Sequence, residues 1–157
     1  MTRISIKSYW TLPIWILAYL GVASFIGNMT RHAIPGWYEI LSKPPLNPPD
    51  FIFPIVWSAL YIMIASVGWR VWNRNQGKKI KIIFILQTLL NWAWSYLFFY
   101  YHWLGLSFIW IVGLIACVAA LIYLLKHADR IAAKLLIPYF LWICFASYLN
   151  FMIWQLN

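Results

Sequence analysis

The chain has 157 residues, of which 64% are hydrophobic and only 10% are charged, and it carries a net charge of +9. Soluble domains have roughly 25% charged residues, so this composition excludes a water-soluble domain and predicts an integral membrane protein. A positive charge would suggest nucleic acid binding in a soluble protein. Here the basic residues lie at the ends of apolar segments, so they indicate membrane topology and no nucleic acid partner.

Five apolar segments follow one another, each close to the roughly 20 residues that a helix needs to cross a bilayer. An open sheet cannot leave its edges in lipid, so the sequence predicts an all-α integral membrane protein, a five-helix bundle in one domain, 1–157. The first segment lacks the short apolar region and cleavage site of a signal peptide and is interpreted as a helix. The predicted helices cover about 9–28, 51–72, 80–101, 104–125 and 135–156.

The predicted loop 29–50 is the longest polar interruption, and it holds four prolines between Pro44 and Pro49. Proline fixes φ and has no N–H, so the part from Lys43 to Pro49 is not helix interior. Trp37 and Tyr38 precede this stiff segment. We expect the loop to form a lid over a pocket between the helices.

Lysine and arginine are distributed unequally between the two sides of the bundle. The positive-inside rule predicts a cytoplasmic N-terminus, with the proline-rich loop and the C-terminus outside. This charge pattern and the chain length favour a bacterial plasma membrane. Only Arg31 and Lys43 fall on the loop side, whereas the other side collects ten residues: Arg3, Lys7, Arg70, Arg74, Lys78, Lys79, Lys81, Lys126, Arg130 and Lys134.

Polar side chains recur along one face of the third predicted helix. Gln87, Asn91 and Ser95 are spaced four residues apart, with Trp94 beside them. Amides are costly in hydrocarbon unless they face the bundle interior or a cavity. The spacing therefore predicts that this face points inward.

The second and fifth predicted helices carry comparable aromatic stripes. Trp57 and Tyr61 share a face of the second, and Trp142, Ala146 and Leu149 share a face of the fifth together with Asn150. Such stripes suit a mostly apolar small-molecule pocket for a flat aromatic ligand. They suit helix–helix packing equally well, and the spacing alone does not separate the two interpretations.

Cysteine and histidine give no sign of a metal site. Cys117 and Cys144 lie within apolar runs, where free thiols behave as small hydrophobes. His32, His102 and His127 are scattered without the spacing of metal ligands. We therefore expect no metal and no required cofactor.

Short motifs occur in a fixed order in the first loop and in three of the helices. They read Trp37-Tyr38-x-x-Leu41-x-Lys43-Pro44 with Pro48-Pro49, Pro54-x-Val56-Trp57, Gln87-x-x-Leu90-Asn91-Trp92-x-Trp94-Ser95, and Pro138-Tyr139-x-x-Trp142-x-x-Phe145-Ala146-x-x-Leu149-Asn150. Together they resemble the TspO/MBR family, the tryptophan-rich sensory proteins related to the translocator protein, or peripheral-type benzodiazepine receptor. The resemblance covers nearly the whole chain.

The resemblance implies a membrane receptor, commonly a homodimer, that binds porphyrins such as protoporphyrin IX and drug-like aromatic ligands under the first loop. By motif position, Trp57 and Trp142 match the tryptophans on which porphyrin photodegradation depends in bacterial relatives. The other pocket-lining positions correspond to Tyr38, Tyr61, Asn91, Trp94, Ala146 and Leu149.

Photochemical degradation needs light, oxygen and positioning, and the sequence offers no conventional catalytic set. The only carboxylates, Glu39, Asp50 and Asp129, lie outside the predicted helix cores. An indole is readily oxidised and stacks on flat π-systems. We hypothesise that Trp57 and Trp142 act as redox partners of a bound porphyrin; the alternative is that they only pack the pocket.

Cholesterol is a doubtful ligand. Mammalian relatives carry Leu-x-Tyr-x-x-x-Arg near the end of the fifth helix, where this chain has Phe151 and Gln155 in place of the Tyr and the Arg. Two other functions stay open: a transporter of tetrapyrroles or small hydrophobic molecules, and a ligand-dependent stress sensor or scaffold that docks through the basic second loop.

Overall fold

A computed structural model describes residues 10–157 of the chain. Five helices within that range are long and apolar enough to cross a membrane, which confirms the predicted five-helix, all-α membrane bundle. The predicted start of the first helix, residue 9, lies outside the described residues. The same is true of Arg3 and Lys7. The helices are α1 (Leu12–Ala33), α2 (Ile52–Asn73), α3 (Lys78–Ser95), α4 (Leu104–Ala128) and α5 (Arg130–Leu156).

The first helix is longer than predicted, and the prediction of a loop from residue 29 is wrong. α1 continues to Ala33, because the polar residues after Gly27 are compatible with a helix that reaches the membrane surface. The helix is broken at Pro35 (ψ 125°) and at Gly36, whose φ of 96° suits a residue without a Cβ. The chain makes one further turn to Tyr38 and stays outside regular helix until Ile52.

The fifth helix begins at Arg130, so its predicted start at residue 135 is also wrong. Asp129 explains the difference, since its carboxylate accepts hydrogen bonds from the Ile131 and Ala132 backbone N–H groups at 3.2 and 3.3 Å. This is the N-cap arrangement that satisfies the free donors of a helix start. The charged segment between α4 and α5 is therefore helical on both sides of Asp129.

Asp129 also joins the end of α2 to the junction between α4 and α5. The Arg70 guanidinium donates two hydrogen bonds to its carboxylate, at 2.8 and 2.9 Å, and Arg74 lies 3.2 Å away. Burial alone would raise the pKa of Asp129, but the hydrogen bonds from Arg70 and from the Ala132 backbone and the positive charges of Arg70 and Arg74 outweigh it and lower that pKa.

The buried core lies where α5 packs against α4 and α2, and α1 packs against α2. Gly68 lets side chains of α1 and α3 pack closely against α2. A Cβ at this position would lie 2.6 Å from the Trp15 ring of α1 and 2.7 Å from the Phe84 ring of α3. Many large apolar side chains are exposed on the outside of the bundle, as expected where the solvent is lipid. Towards the loop side, the helices enclose a cavity.

Candidate functional site

A cavity of about 610 Å³ lies between α1, α2, α5 and the end of α3. Its volume falls within the usual range of small-molecule sites, and its wall is mainly apolar and aromatic. Tyr38 and Asp50, at the two ends of the loop, also line it. The predicted site residues found in the lining are Tyr38, Trp57, Tyr61, Trp94, Trp142, Ala146 and Leu149.

The two tryptophans predicted to react stand on different helices, Trp57 on α2 and Trp142 on α5. The Trp57 ring lies 5.7 Å from that of Tyr61, and the Trp142 ring lies 6.0 Å from that of Phe53. The Trp142 indole N–H is buried and has no hydrogen-bond partner among the described residues. Trp142 thus contributes an aromatic ring to the cavity wall.

Trp94 is held firmly in the cavity wall by a chain of hydrogen bonds. Its indole N–H donates to Asn150 Oδ1 at 3.1 Å, and the Asn150 amide donates to the Leu104 carbonyl at 2.9 Å. This chain joins α3, α5 and the start of α4. It positions the aromatic face of Trp94 and accounts for Asn150, whose amide would otherwise be costly in the membrane.

Asn91 is absent from the cavity wall, so the prediction that it lines the pocket is wrong. It lies buried in α3, and its Oδ1 accepts a hydrogen bond from the Tyr61 hydroxyl at 2.9 Å. The helical spacing placed Asn91 on the inward face correctly, but it did not reveal that the Tyr61 side chain is bonded to it. Asn91 is therefore a positioning residue for Tyr61.

The loop is tied down by its own polar side chains. The Tyr38 hydroxyl donates to Asn47 Oδ1 at 3.0 Å, and the Lys43 ammonium lies 4.7 Å from the centre of the Tyr38 ring. At the far end of α5, the Asn157 side chain exchanges two hydrogen bonds with the Ser42 backbone, at 3.0 and 3.1 Å. These contacts hold the proline-rich segment over the loop side of the bundle.

Residue spacing in the sequence predicted no site residue on α1, yet this helix supplies one wall of the cavity. Its cavity-facing residues recur every three or four positions, the spacing of one helical face. None carries an aromatic ring, so no aromatic stripe marked them. The signal was a face of aliphatic, small and polar residues at that spacing: Leu20, Ala23, Ser24, Ile26, Gly27, Thr30, Arg31 and Ile34.

The exposed side of the cavity, formed by α1 and α2, is called its mouth. Lining residues that are also exposed occur on both helices: Ser24 and Gly27 on α1, and Pro54 and Ser58 on α2.

The TspO/MBR family model matches residues 14–155 of the chain. The chain belongs to this family. It is 34% identical over 155 residues to the tryptophan-rich protein TspO of Chlorobaculum tepidum, covering 96% of this chain and 98% of that protein. It is 31% identical over 139 residues to the human translocator protein, covering 85% and 82% of the two chains.

A third TspO/MBR relative is the tryptophan-rich sensory protein of Cereibacter sphaeroides, which is 28% identical over 148 residues, covering 94% of this chain and 92% of that protein. The relatives match over most of their own length as well as most of this chain. The family match spans all five helices and the loop, and so includes every element that lines the cavity.

Proposed function

We propose that this TspO/MBR protein is a membrane receptor for porphyrins, such as protoporphyrin IX, and other flat hydrophobic ligands, which it binds in the cavity beneath the loop. The observation that carries the proposal is the cavity itself, with aromatic walls on α2, α3 and α5 and exposed lining residues on α1 and α2. A flat π-system gains both burial and stacking energy between aromatic side chains.

The same site supports light- and oxygen-dependent degradation of a bound porphyrin. Trp57 and Trp142 both line the cavity, so either indole would be close enough to donate an electron to an excited porphyrin. Dioxygen would then add to the reduced macrocycle and cleave one carbon–carbon double bond into two carbonyl groups, and return of the electron would restore the indole. The protein would supply positioning and an oxidisable side chain.

The test uses purified protein titrated with protoporphyrin IX in the dark and then illuminated in air. We expect saturable quenching of tryptophan fluorescence, followed by light-driven loss of porphyrin absorbance. Trp57→Phe and Trp142→Phe should bind more weakly and degrade more slowly. Trp103→Phe is the matched control, because Trp103 is exposed and outside the cavity lining. Unchanged porphyrin loss in both cavity variants would rule out the redox role.

Transport is the second candidate function, and the name of the human relative, translocator protein, favours it. A mouth between α1 and α2 suits uptake of tetrapyrroles or small hydrophobic molecules from lipid. Counterflow of labelled porphyrin in proteoliposomes separates the two functions. A transporter would accelerate exchange, whereas a receptor would bind a stoichiometric amount without flux.

A ligand-dependent stress sensor or scaffold is the third candidate, favoured by the name of the sensory protein relative. Its docking surface would be the basic segment from Arg74 to Lys81, which includes the turn after α2 and the first turn of α3. Pull-downs with and without protoporphyrin IX test it, because a sensor would change partners with ligand occupancy.

We also propose a homodimer in the bilayer, with the N-terminus cytoplasmic and the C-terminus outside a bacterial plasma membrane. The charge distribution supports the orientation, since ten Lys and Arg residues fall on one side and two on the other. Cysteine labelling from each side of the membrane tests orientation, and crosslinking tests the dimer. Cholesterol is not expected to bind, because Phe151 and Gln155 replace the sterol-associated residues.

A further inference from the structure

Arg31 brings a positive charge to a wall that is mainly apolar and aromatic. It is the single cationic side chain among the described residues lining the cavity, and it is exposed at the mouth. On α1 it follows Ala23 and Gly27 at intervals of four, so the three share one face. The lining of α1 thus runs from Leu20 to a guanidinium roughly 16 Å along the helix.

The positive-inside rule does not account for this charge. Arg31 and Lys43 are the two cations on the side that is poor in Lys and Arg. The Lys43 ammonium is used by the loop, donating to the Glu39 carbonyl at 3.1 Å and lying over the Tyr38 ring. Arg31, by contrast, makes no hydrogen bond or ion pair within residues 10–157.

The hydroxyls beside Arg31 do not compete with it as donors. The Thr30 hydroxyl donates to the Gly27 carbonyl at 3.0 Å, and the Ser58 hydroxyl across the mouth donates to the Pro54 carbonyl at 2.7 Å. Asp50 is the one anionic residue of the described lining, and it lies just ahead of α2, where the helix dipole favours a negative charge. The guanidinium of Arg31 is therefore the strongest donor at the mouth.

We propose that Arg31 binds a carboxylate of the ligand and makes the cavity selective for flat hydrophobic acids. A guanidinium matches a carboxylate with two parallel hydrogen bonds, which an ester cannot accept with the same strength. The apolar ring would lie deep among the aromatic side chains, with the acid group at the mouth. This inference rests on the proposed function and names the ligand class of the same cavity.

The experiment compares protoporphyrin IX with its dimethyl ester, which keeps the ring and removes both negative charges. Dissociation constants are measured by fluorescence quenching for the unaltered protein and for Arg31→Gln, Arg31→Lys and Arg130→Gln. Arg130 is the matched control because it is an exposed arginine on α5 outside the cavity lining. All titrations are run in maltoside micelles, which hold no phosphate, and in phospholipid nanodiscs.

We expect Arg31→Gln to weaken diacid binding on the order of tenfold, with ester binding changed less than about twofold. Arg31→Lys should retain part of the preference, and Arg130→Gln should behave like the unaltered protein. The same selective loss should occur in micelles and in nanodiscs. If Arg31→Gln weakens diacid binding in nanodiscs but not in micelles, the guanidinium binds lipid phosphate and the proposal is overturned.

The outcomes also separate this inference from the function on which it rests. If the unaltered protein binds neither porphyrin saturably, the proposed function fails and the inference fails with it. If it binds both and Arg31→Gln changes neither constant, or weakens both equally, porphyrin binding stands and carboxylate recognition by Arg31 is refuted.

Discussion

Replacing Asp129 should destabilise the bundle more than replacing any exposed carboxylate. The Asp129 side chain is 2% exposed and pairs with Arg70 and Arg74, which are 12% and 19% exposed. Removing one partner of a buried ion pair costs about 3–5 kcal/mol, and the partial exposure of both arginines reduces this. We expect a loss of about 2 kcal/mol in the free energy of unfolding for Asp129→Asn.

Comparing two substitutions at Asp129 distinguishes the contribution of the ion pair to stability from that of the helix cap. Asparagine keeps an oxygen that accepts from the Ile131 and Ala132 N–H groups, so Asp129→Asn loses the charge and retains the cap. Asp129→Ala loses both and should cost about 1 kcal/mol more. Glu39→Gln is the control, because Glu39 is exposed and forms no ion pair among the described residues.

The assay is equilibrium unfolding in mixed maltoside and dodecyl sulfate micelles, followed by circular dichroism. The pKa of Asp129 is lower in the folded state, so its stabilisation is present above the unfolded value of about 3.9 and disappears as the pH falls through the folded value. Asp129→Asn should remove this acid-sensitive contribution to the free energy of unfolding. If Asp129→Asn changes the free energy of unfolding by less than about 0.5 kcal/mol at neutral pH, as a surface substitution would, the ion pair does not stabilise the bundle as expected.

Three further substitutions test the cavity and the core. Tyr61→Phe removes the 2.9 Å hydrogen bond to Asn91 and leaves a buried amide oxygen unpaired, so thermal unfolding should show a loss of about 1–2 kcal/mol. Gly68→Ala places a methyl group 2.6 Å from the Trp15 ring and should cost about 1–3 kcal/mol in the same assay; an unchanged midpoint would show that the rings move aside. Gly27→Leu, where an added Cβ meets no atom within 4 Å, should leave stability unchanged and raise the porphyrin dissociation constant about tenfold. Equal binding by Gly27→Leu would place the ligand elsewhere.

The five helices could be predicted from hydropathy because partition into lipid depends on composition over about 20 residues. The helix ends could not, because composition does not determine where the backbone stops being helical. At the end of α1, polarity suggested a loop near residue 28, but the break comes at Pro35 and Gly36. At the start of α5, the cap made by Asp129 lies within a charged segment that hydropathy excludes.

The cavity wall was predictable where it is aromatic. Trp57, Trp94 and Trp142 stand out by residue type and motif, and all three line the cavity. Gly27 and Arg31 on α1 were missed, because a small residue and an interfacial arginine are common on any membrane helix. Their importance depends on which face of α1 turns towards the other helices, and no single-helix pattern contains that information.

Porphyrin binding in the cavity is tested most directly by measuring the stoichiometry and location of binding. Protoporphyrin IX is titrated into the unaltered protein, Gly27→Leu and Gly21→Leu; Gly21 also has space for a side chain but lies outside the cavity lining. We expect one saturable site per chain, with a dissociation constant about tenfold higher in Gly27→Leu and unchanged in Gly21→Leu. Non-saturable quenching, or the same dissociation constant in all three proteins, would contradict it.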